Sequence, residues 1–210
     1  MELYNYFRSS ASWRVRIALA LKHLSYDYRG VHLLRNEQMA TAFGALTPAH
    51  LVPLLRDGEA LISQSMAIIE YLDETHPEPP LLPREPLARA QVRALAQDIA
   101  CEIHPLGNLR VLRYLVKELG LDDARKNAWS RNWIEKGLAV VEQRLQTSAG
   151  LCCFGDAPGL ADCLLVPQVF NARRVDCNLD AFPTLLRVAD HCMSLPAFAD
   201  THPSKCPDAE

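Results

Sequence analysis

Four prolines in nine residues, Thr75-His76-Pro77-Glu78-Pro79-Pro80-Leu81-Leu82-Pro83, set the first limit on what this chain can fold into. Each proline lacks a backbone N–H and crowds the carbonyl four residues back. No regular helix crosses the stretch, and it reads as an extended linker. Before it, strand and helix patterns alternate. Leu3-Tyr4-Asn5-Tyr6-Phe7 is a β-prone aromatic run, and Val15, Ala18, Leu19 and Lys22 give a helix with one apolar face. Residues 26–31 read as a second strand, 36–43 as a short polar helix, and Leu46-Thr47-Pro48 as a turn. Val52-Pro53-Leu54-Leu55 and Ala60-Leu61-Ile62 flank Asp57-Gly58, a hairpin signal, and Ala67, Ile68, Tyr71 and Leu72 resume helical spacing.

After the linker only helices are expected. Val92, Leu95, Ala96, Ile99 and Ile103 follow one helical stripe; Trp129, Trp133, Leu138, Val141 and Leu145 follow another. Pro105 predicts a kink in the first, with His104 and Asn108 on one face beside it. The chain therefore divides into an α/β domain, 1–80, and an all-α domain, 86–210, with no internal repeat.

Charge and cysteine usage remove several classes of function. A net charge of -3 and a pI near 6.2 exclude an electrostatic nucleic-acid binder. No apolar run approaches the ~18 residues that cross a bilayer, and no leader pattern is read at the start. The seven cysteines, Cys101, Cys152, Cys153, Cys163, Cys177, Cys192 and Cys206, form no Cys-x-x-Cys pair, so they read as reduced thiols, buried or incidental. The expectation is a soluble cytoplasmic protein without a metal site, nucleic-acid partner or membrane.

Three stretches carry chemistry. Arg8-Ser9-Ser10-Ala11-Ser12 sits on a strand-to-helix turn, where unpaired backbone N–H groups, the dipole and hydroxyls suit an anion such as a thiolate; a plain N-cap is the other reading. Gln64-Ser65 opens the next helix and suits a carboxylate, or is again only a cap. Val52-Pro53 precedes a strand, where an edge proline is the ordinary reading.

The run from Arg8 to Lys22, Arg-Ser-Ser-x-Ser-Trp-Arg-Val-Arg-Ile-Ala-Leu-Ala-Leu-Lys, resembles the signature of zeta-class glutathione transferases, which include the glutathione-dependent maleylacetoacetate and maleylpyruvate isomerases. The resemblance continues almost to the C-terminus. It implies a thioredoxin-like N-terminal domain followed by an all-helical substrate domain, assembled as a homodimer, with glutathione as cofactor and a small dicarboxylate as substrate. It implies a cis bond at Pro53 that lets Val52 offer its backbone to the cysteinyl part of glutathione. Ser9, backed by Ser10 and the backbone of Ala11, would hydrogen-bond the thiolate; Gln64 and Ser65 would hold the γ-glutamyl carboxylate, and Gln38 would touch the glycyl end. His104, Asn108 and Arg110 resemble the segment lining the substrate pocket, and Arg174 would point to the active site while Arg173 is solvated. Arg8, Arg110 and Arg174 would bind the substrate carboxylates.

Three departures from that family pattern stand out. Many zeta enzymes have cysteine in place of Ala11, human-type members have glutamine in place of His104, and the buried helix start Phe154-Gly155-Asp156-Ala157-Pro158-Gly159-Leu160-Ala161-Asp162 has Gly159 where Ser or Thr is usual. The last leaves half of a capping box, Asp162, and predicts some loss of stability. The resemblance implies cis–trans isomerisation of maleylpyruvate or maleylacetoacetate, with Ala11 and the short C-terminal tail leaning toward the former. The competing readings are a general transferase acting on haloacids or peroxides, and a non-catalytic interaction module.

Overall fold

The computed structural model describes residues 1–210, which form two compact units, Met1–Leu81 with Ser194–Glu210, and Leu82–Met193. In the first, strands β1 (Glu2–Asn5), β2 (Asp27–Gly30), β3 (Leu54–Asp57) and β4 (Ala60–Ser63) make one sheet in the order β2-β1-β3-β4. β1 and β2 are parallel, joined by helix α1 (Ser10–Leu21); β3 runs antiparallel to both β1 and β4. Gly58, at φ 57°, makes the tight β3–β4 turn. Helix α3 (Ser65–Thr75) follows β4 and packs on α1.

Strand periodicity explains why both faces of this sheet are covered. Leu3 and Leu55 are register partners and fully buried. Tyr4 and Leu54, one residue along, face the other way, toward a cluster with Val31, Phe43, Leu46 and Val52. Phe43 comes from the short helix α2 (Thr41–Gly44), so the expected polar helix at 36–43 is instead a 3-10 turn, Glu37–Met39, followed by α2.

The proline run is held from outside, because its prolines cannot donate to their own backbone. Buried Lys22, just past α1, ion-pairs with Asp73 and donates to the carbonyls of His76 and Pro79, each at 2.7 Å. Asp73 in turn accepts the Leu81 N–H at 2.8 Å.

The second domain was expected to extend to residue 210, but the structure returns Ser194–Glu210 to the first unit. The cause is a set of polar contacts from the tail. Trp13 Nε1 donates to Thr201 Oγ1 at 3.0 Å, the Phe7 N–H donates to Asp208 at 3.2 Å, and the Tyr28 hydroxyl bonds the same carboxylate. Arg16, 1% exposed, donates to Asn5 Oδ1, the Phe7 carbonyl and the Thr201 carbonyl, so that a buried guanidinium is satisfied by strand, turn and tail together.

The second unit contains α4 (Pro86–Gln97), α5 (Leu109–Lys117), α6 (Asp123–Ser148), α7 (Leu160–Arg174) and α8 (Pro183–Met193). The expected kink at Pro105 is a helix end. After α4 the chain widens to a π segment, Asp98–Ile103, then tightens to a 3-10 turn, His104–Gly107. A missing N–H at Pro105 and a displaced carbonyl at Cys101 break the four-residue ladder, and the neighbouring turns take the five- and three-residue ones. Trp129 Nε1 captures the Leu106 carbonyl at 2.8 Å. Gly137 is required by packing: a Cβ there would lie 2.2 Å from Ile103 Cγ1.

Candidate active site

The first unit gathers most of the sequence-identified groups at the starts of α1 and α3. Ser9 is the N-cap of α1, its Oγ accepting the Ser12 N–H at 3.2 Å. With that lone pair engaged, the hydroxyl keeps its proton to donate, polarised toward an incoming anion. Ser9 and Ala11 are part-exposed and Arg8 is exposed, whereas Ser10 and Ser12 are buried beneath them. α1 is buried on nearly every side from Ser12 to Leu19, so the turn that opens it keeps only Arg8, Ser9 and Ala11 in reach of solvent.

At the second helix start, Gln64 sits at φ 72°, ψ 118°, an uncommon backbone for a non-glycine residue, and precedes Ser65. No side chain caps α3, so its first N–H groups stay open to a ligand. Buried Arg14 of α1 donates to Ser65 Oγ at 3.2 Å and ties the two helix starts together. The Val52–Pro53 bond is cis, as the resemblance implies, with Pro53 buried beside β3. Gln38 is 7% exposed; its carbonyl oxygen accepts from His50 Nδ1 at 2.8 Å, while its buried side-chain Oε1 has no hydrogen-bond partner within the protein. A buried polar atom in that state is open to a donor from a ligand or from water.

These features fit glutathione. Its thiol would meet the Ser9 hydroxyl and the α1 N-terminus, its γ-glutamyl carboxylate the open start of α3, and its glycyl end Gln38.

In the second unit, His104 and Arg174 line a cavity of about 80 Å³ with Ser130, Gln168 and Asn171. Arg174 Nη1 donates to Asn171 Oδ1 at 3.3 Å, which orients the guanidinium at the end of α7. Arg173, by contrast, pairs with Asp190 at 2.9 Å on the exposed side. Gln168, 1% exposed, leaves its Oε1 without a hydrogen-bond partner.

Asn108 and Arg110 do not line this cavity. Asn108 was expected to share a face with His104, but the helix ends between them. It adopts φ -65°, ψ 144° and caps α5, its Oδ1 accepting the Arg110 N–H at 3.3 Å. The Arg110 side chain stands exposed on α5.

Sequence reading missed Arg14, Gln168 and Asn171. A signal existed for Gln168, a lone amide following Pro167 in a run that is otherwise apolar from Leu164 to Phe170. None existed for Arg14, whose partner lies fifty-one residues away.

Comparison with known proteins identifies the family. Residues 3–80 match the model of the glutathione S-transferase N-terminal domain. The chain is 51% identical over 209 residues to a probable maleylacetoacetate isomerase of Vibrio cholerae, covering 99% of this chain and 97% of that one. It superposes at a TM-score of 0.98, with 46% identity and all of both chains covered, on the holo structure of a maleylpyruvate isomerase described as a bacterial zeta-class glutathione S-transferase. A maleylacetoacetate isomerase from Anaeromyxobacter dehalogenans, with dicarboxyethyl glutathione and citrate in its active site, superposes at 0.89 with 46% identity, covering 100% of this chain and 97% of that one.

Proposed function

Because the chain belongs to the glutathione S-transferase family, among its zeta-class isomerases, we propose that it is a glutathione-dependent cis–trans isomerase of a maleyl dicarboxylate, maleylpyruvate or maleylacetoacetate, acting in aromatic-compound breakdown. The observation that carries this reading is the Ser9 cap, a part-exposed hydroxyl whose lone pair is engaged by the Ser12 N–H and whose proton remains free to give.

The chemistry that glutathione supplies when bound is a sulfur nucleophile, which adds reversibly to a double bond conjugated with a carbonyl. Ser9 donates its hydroxyl proton to that sulfur as a hydrogen bond and, with the N-terminal end of α1, favours the thiolate. Ser10 and the backbone of Ala11 support the same turn. Gln64, Ser65, Val52, Pro53 and Gln38 hold the tripeptide. Arg174 and Arg8 bind carboxylates, concentrating positive charge on a chain whose net charge is -3. His104 donates a hydrogen bond to the carbonyl oxygen on which negative charge develops. Asn108 fixes the start of α5, which follows the His104 turn.

The enzyme works as a cytoplasmic homodimer in this reading. Its seven cysteines are all free thiols, as a reducing compartment keeps them. The test is the absorbance change of maleylpyruvate and of maleylacetoacetate, each with enzyme, with and without glutathione. Glutathione-dependent turnover of one or both is expected; turnover of neither, with glutathione still bound, overturns the isomerase. Arg174→Lys should raise KM for the dicarboxylate about ten-fold and leave glutathione affinity unchanged, because an ammonium cannot make the two parallel bonds of a guanidinium.

A further inference from the structure

Four of the seven cysteines, Cys152, Cys153, Cys163 and Cys192, are fully buried in the second unit, outside everything the isomerase reading uses. Burial alone means little for a thiol, which packs as a small apolar group. What sets this cluster apart is its convergence on one carboxylate. Cys192 Sγ, in the last turn of α8, lies 3.6 Å from Asp162 Oδ1 in the first turn of α7. Cys152, in the loop before α7, hydrogen-bonds the Cys192 thiol. The two sulfurs and the carboxylate oxygen all lie within 4.8 Å of one another. Cys153 also hydrogen-bonds Asp162 through its thiol.

Backbone contacts hold the carboxylate and the loop beside it. Asp162 is fixed by the Cys153 N–H at 2.8 Å and the Gly159 N–H at 2.9 Å. The Cys152 loop is closed by its own N–H on the Gly155 carbonyl at 2.9 Å, and Gly150 passes so close that a Cβ would sit 2.5 Å from that carbonyl oxygen.

We propose that Cys152, Cys192 and Asp162 form a structural site for one thiophilic divalent cation of the zinc class. Two sulfurs on one zinc stand roughly 3.8 Å apart, given Zn–S bonds of about 2.3 Å, so the cluster need contract by no more than about 1 Å. Binding exchanges two thiol protons, released to solvent, for one dication. The buried thiol contacts are replaced by metal–ligand bonds, and three anions surround the double charge. The backbone N–H groups on Asp162 are the orienting contacts that ligating carboxylates require. Two sulfurs select against magnesium and calcium, which take oxygen. The ion would pin the loop before α7 to the end of α8, far in role from the glutathione site.

The test uses the reduced, chelator-treated full chain titrated with Co²⁺, read by near-ultraviolet sulfur-to-cobalt charge-transfer absorption and by thermal melting. One equivalent should bind, with a charge-transfer band and a raised Tm. Cys192→Ser and, independently, Cys152→Ala should abolish the band, whereas Cys101→Ser, at an exposed thiol, should keep it; circular dichroism checks that each variant is folded. If one cysteine variant does not fold, the other with the wild-type stoichiometry decides. A wild-type titration without a band, or a band that survives both cluster substitutions, overturns the proposal.

Discussion

The starts of α1 and α7 are built from the same elements and used in opposite ways. Both begin with backbone N–H groups that no helical carbonyl can satisfy. At α1 a neutral hydroxyl, Ser9, takes one of them and remains part-exposed, leaving a site that attracts an anion. At α7 a carboxylate of the chain itself, Asp162, takes the N–H of Gly159 and that of Cys153. Burial pushes the Asp162 carboxyl up from its ordinary range, while those two backbone donors pull the other way. A helix start left half-open is available to a ligand; one closed by a buried carboxylate serves the core.

The comparison breaks most severely at the closed end. Asp162→Ala leaves the buried Cys153 N–H and the part-buried Gly159 N–H without an acceptor, and should destabilise the protein by about 3 kcal/mol, read as a shift of the urea midpoint. The open end should respond in the other currency. Ser9→Ala should lower kcat/KM with glutathione by about 10²-fold while costing only about 1 kcal/mol of stability, so that kinetics and denaturation separate its two roles.

Gly159→Ser sharpens the contrast by restoring the hydroxyl half of the box. Gly159 is extended, at φ -139°, a backbone that serine adopts readily, and the substitution should stabilise by a few tenths of a kcal/mol with activity unchanged, read as a small rise in Tm. A third start, that of α4, is exposed and capped by Glu85, whose carboxylate accepts the Leu87 and Ala88 N–H groups. Those bonds hold its carboxyl below the usual 4.5. Its folded-state value is depressed, so its contribution is present above the ordinary glutamate range and is lost as pH falls through the lowered value. Glu85→Gln should therefore lower stability slightly near neutrality, leave it unchanged at pH below the lowered value, and so flatten the acid limb of a stability–pH profile.

Features that depend on neighbours in sequence were legible. The proline run marked the boundary near residue 81, the Asp57-Gly58 turn located the hairpin, and the serine turn placed the α1 cap at Ser9. Features that depend on distant partners were not. The tail from Ser194 joins the first unit through Thr201 and Asp208, whose partners Trp13, Phe7 and Tyr28 lie at the other end of the chain. Glu142, buried in α6, caps α8 by accepting the Thr184 and Leu185 N–H groups, a pairing across more than forty residues that no periodicity announces. Between these lies Pro105: the sequence marked a disturbance there, but helical spacing was extended through it, so Asn108 was put on the face of His104 when it begins the next helix.

The most direct test of the Ser9 assignment is the ionisation of enzyme-bound glutathione, followed through the ultraviolet absorbance of the thiolate across pH in the wild type and in Ser9→Ala. A bound thiol that ionises well below free glutathione, and moves back toward it when the hydroxyl is removed, is the predicted result. An unchanged titration in Ser9→Ala, with glutathione bound as tightly as before, would contradict it and leave Ser9 as a cap alone.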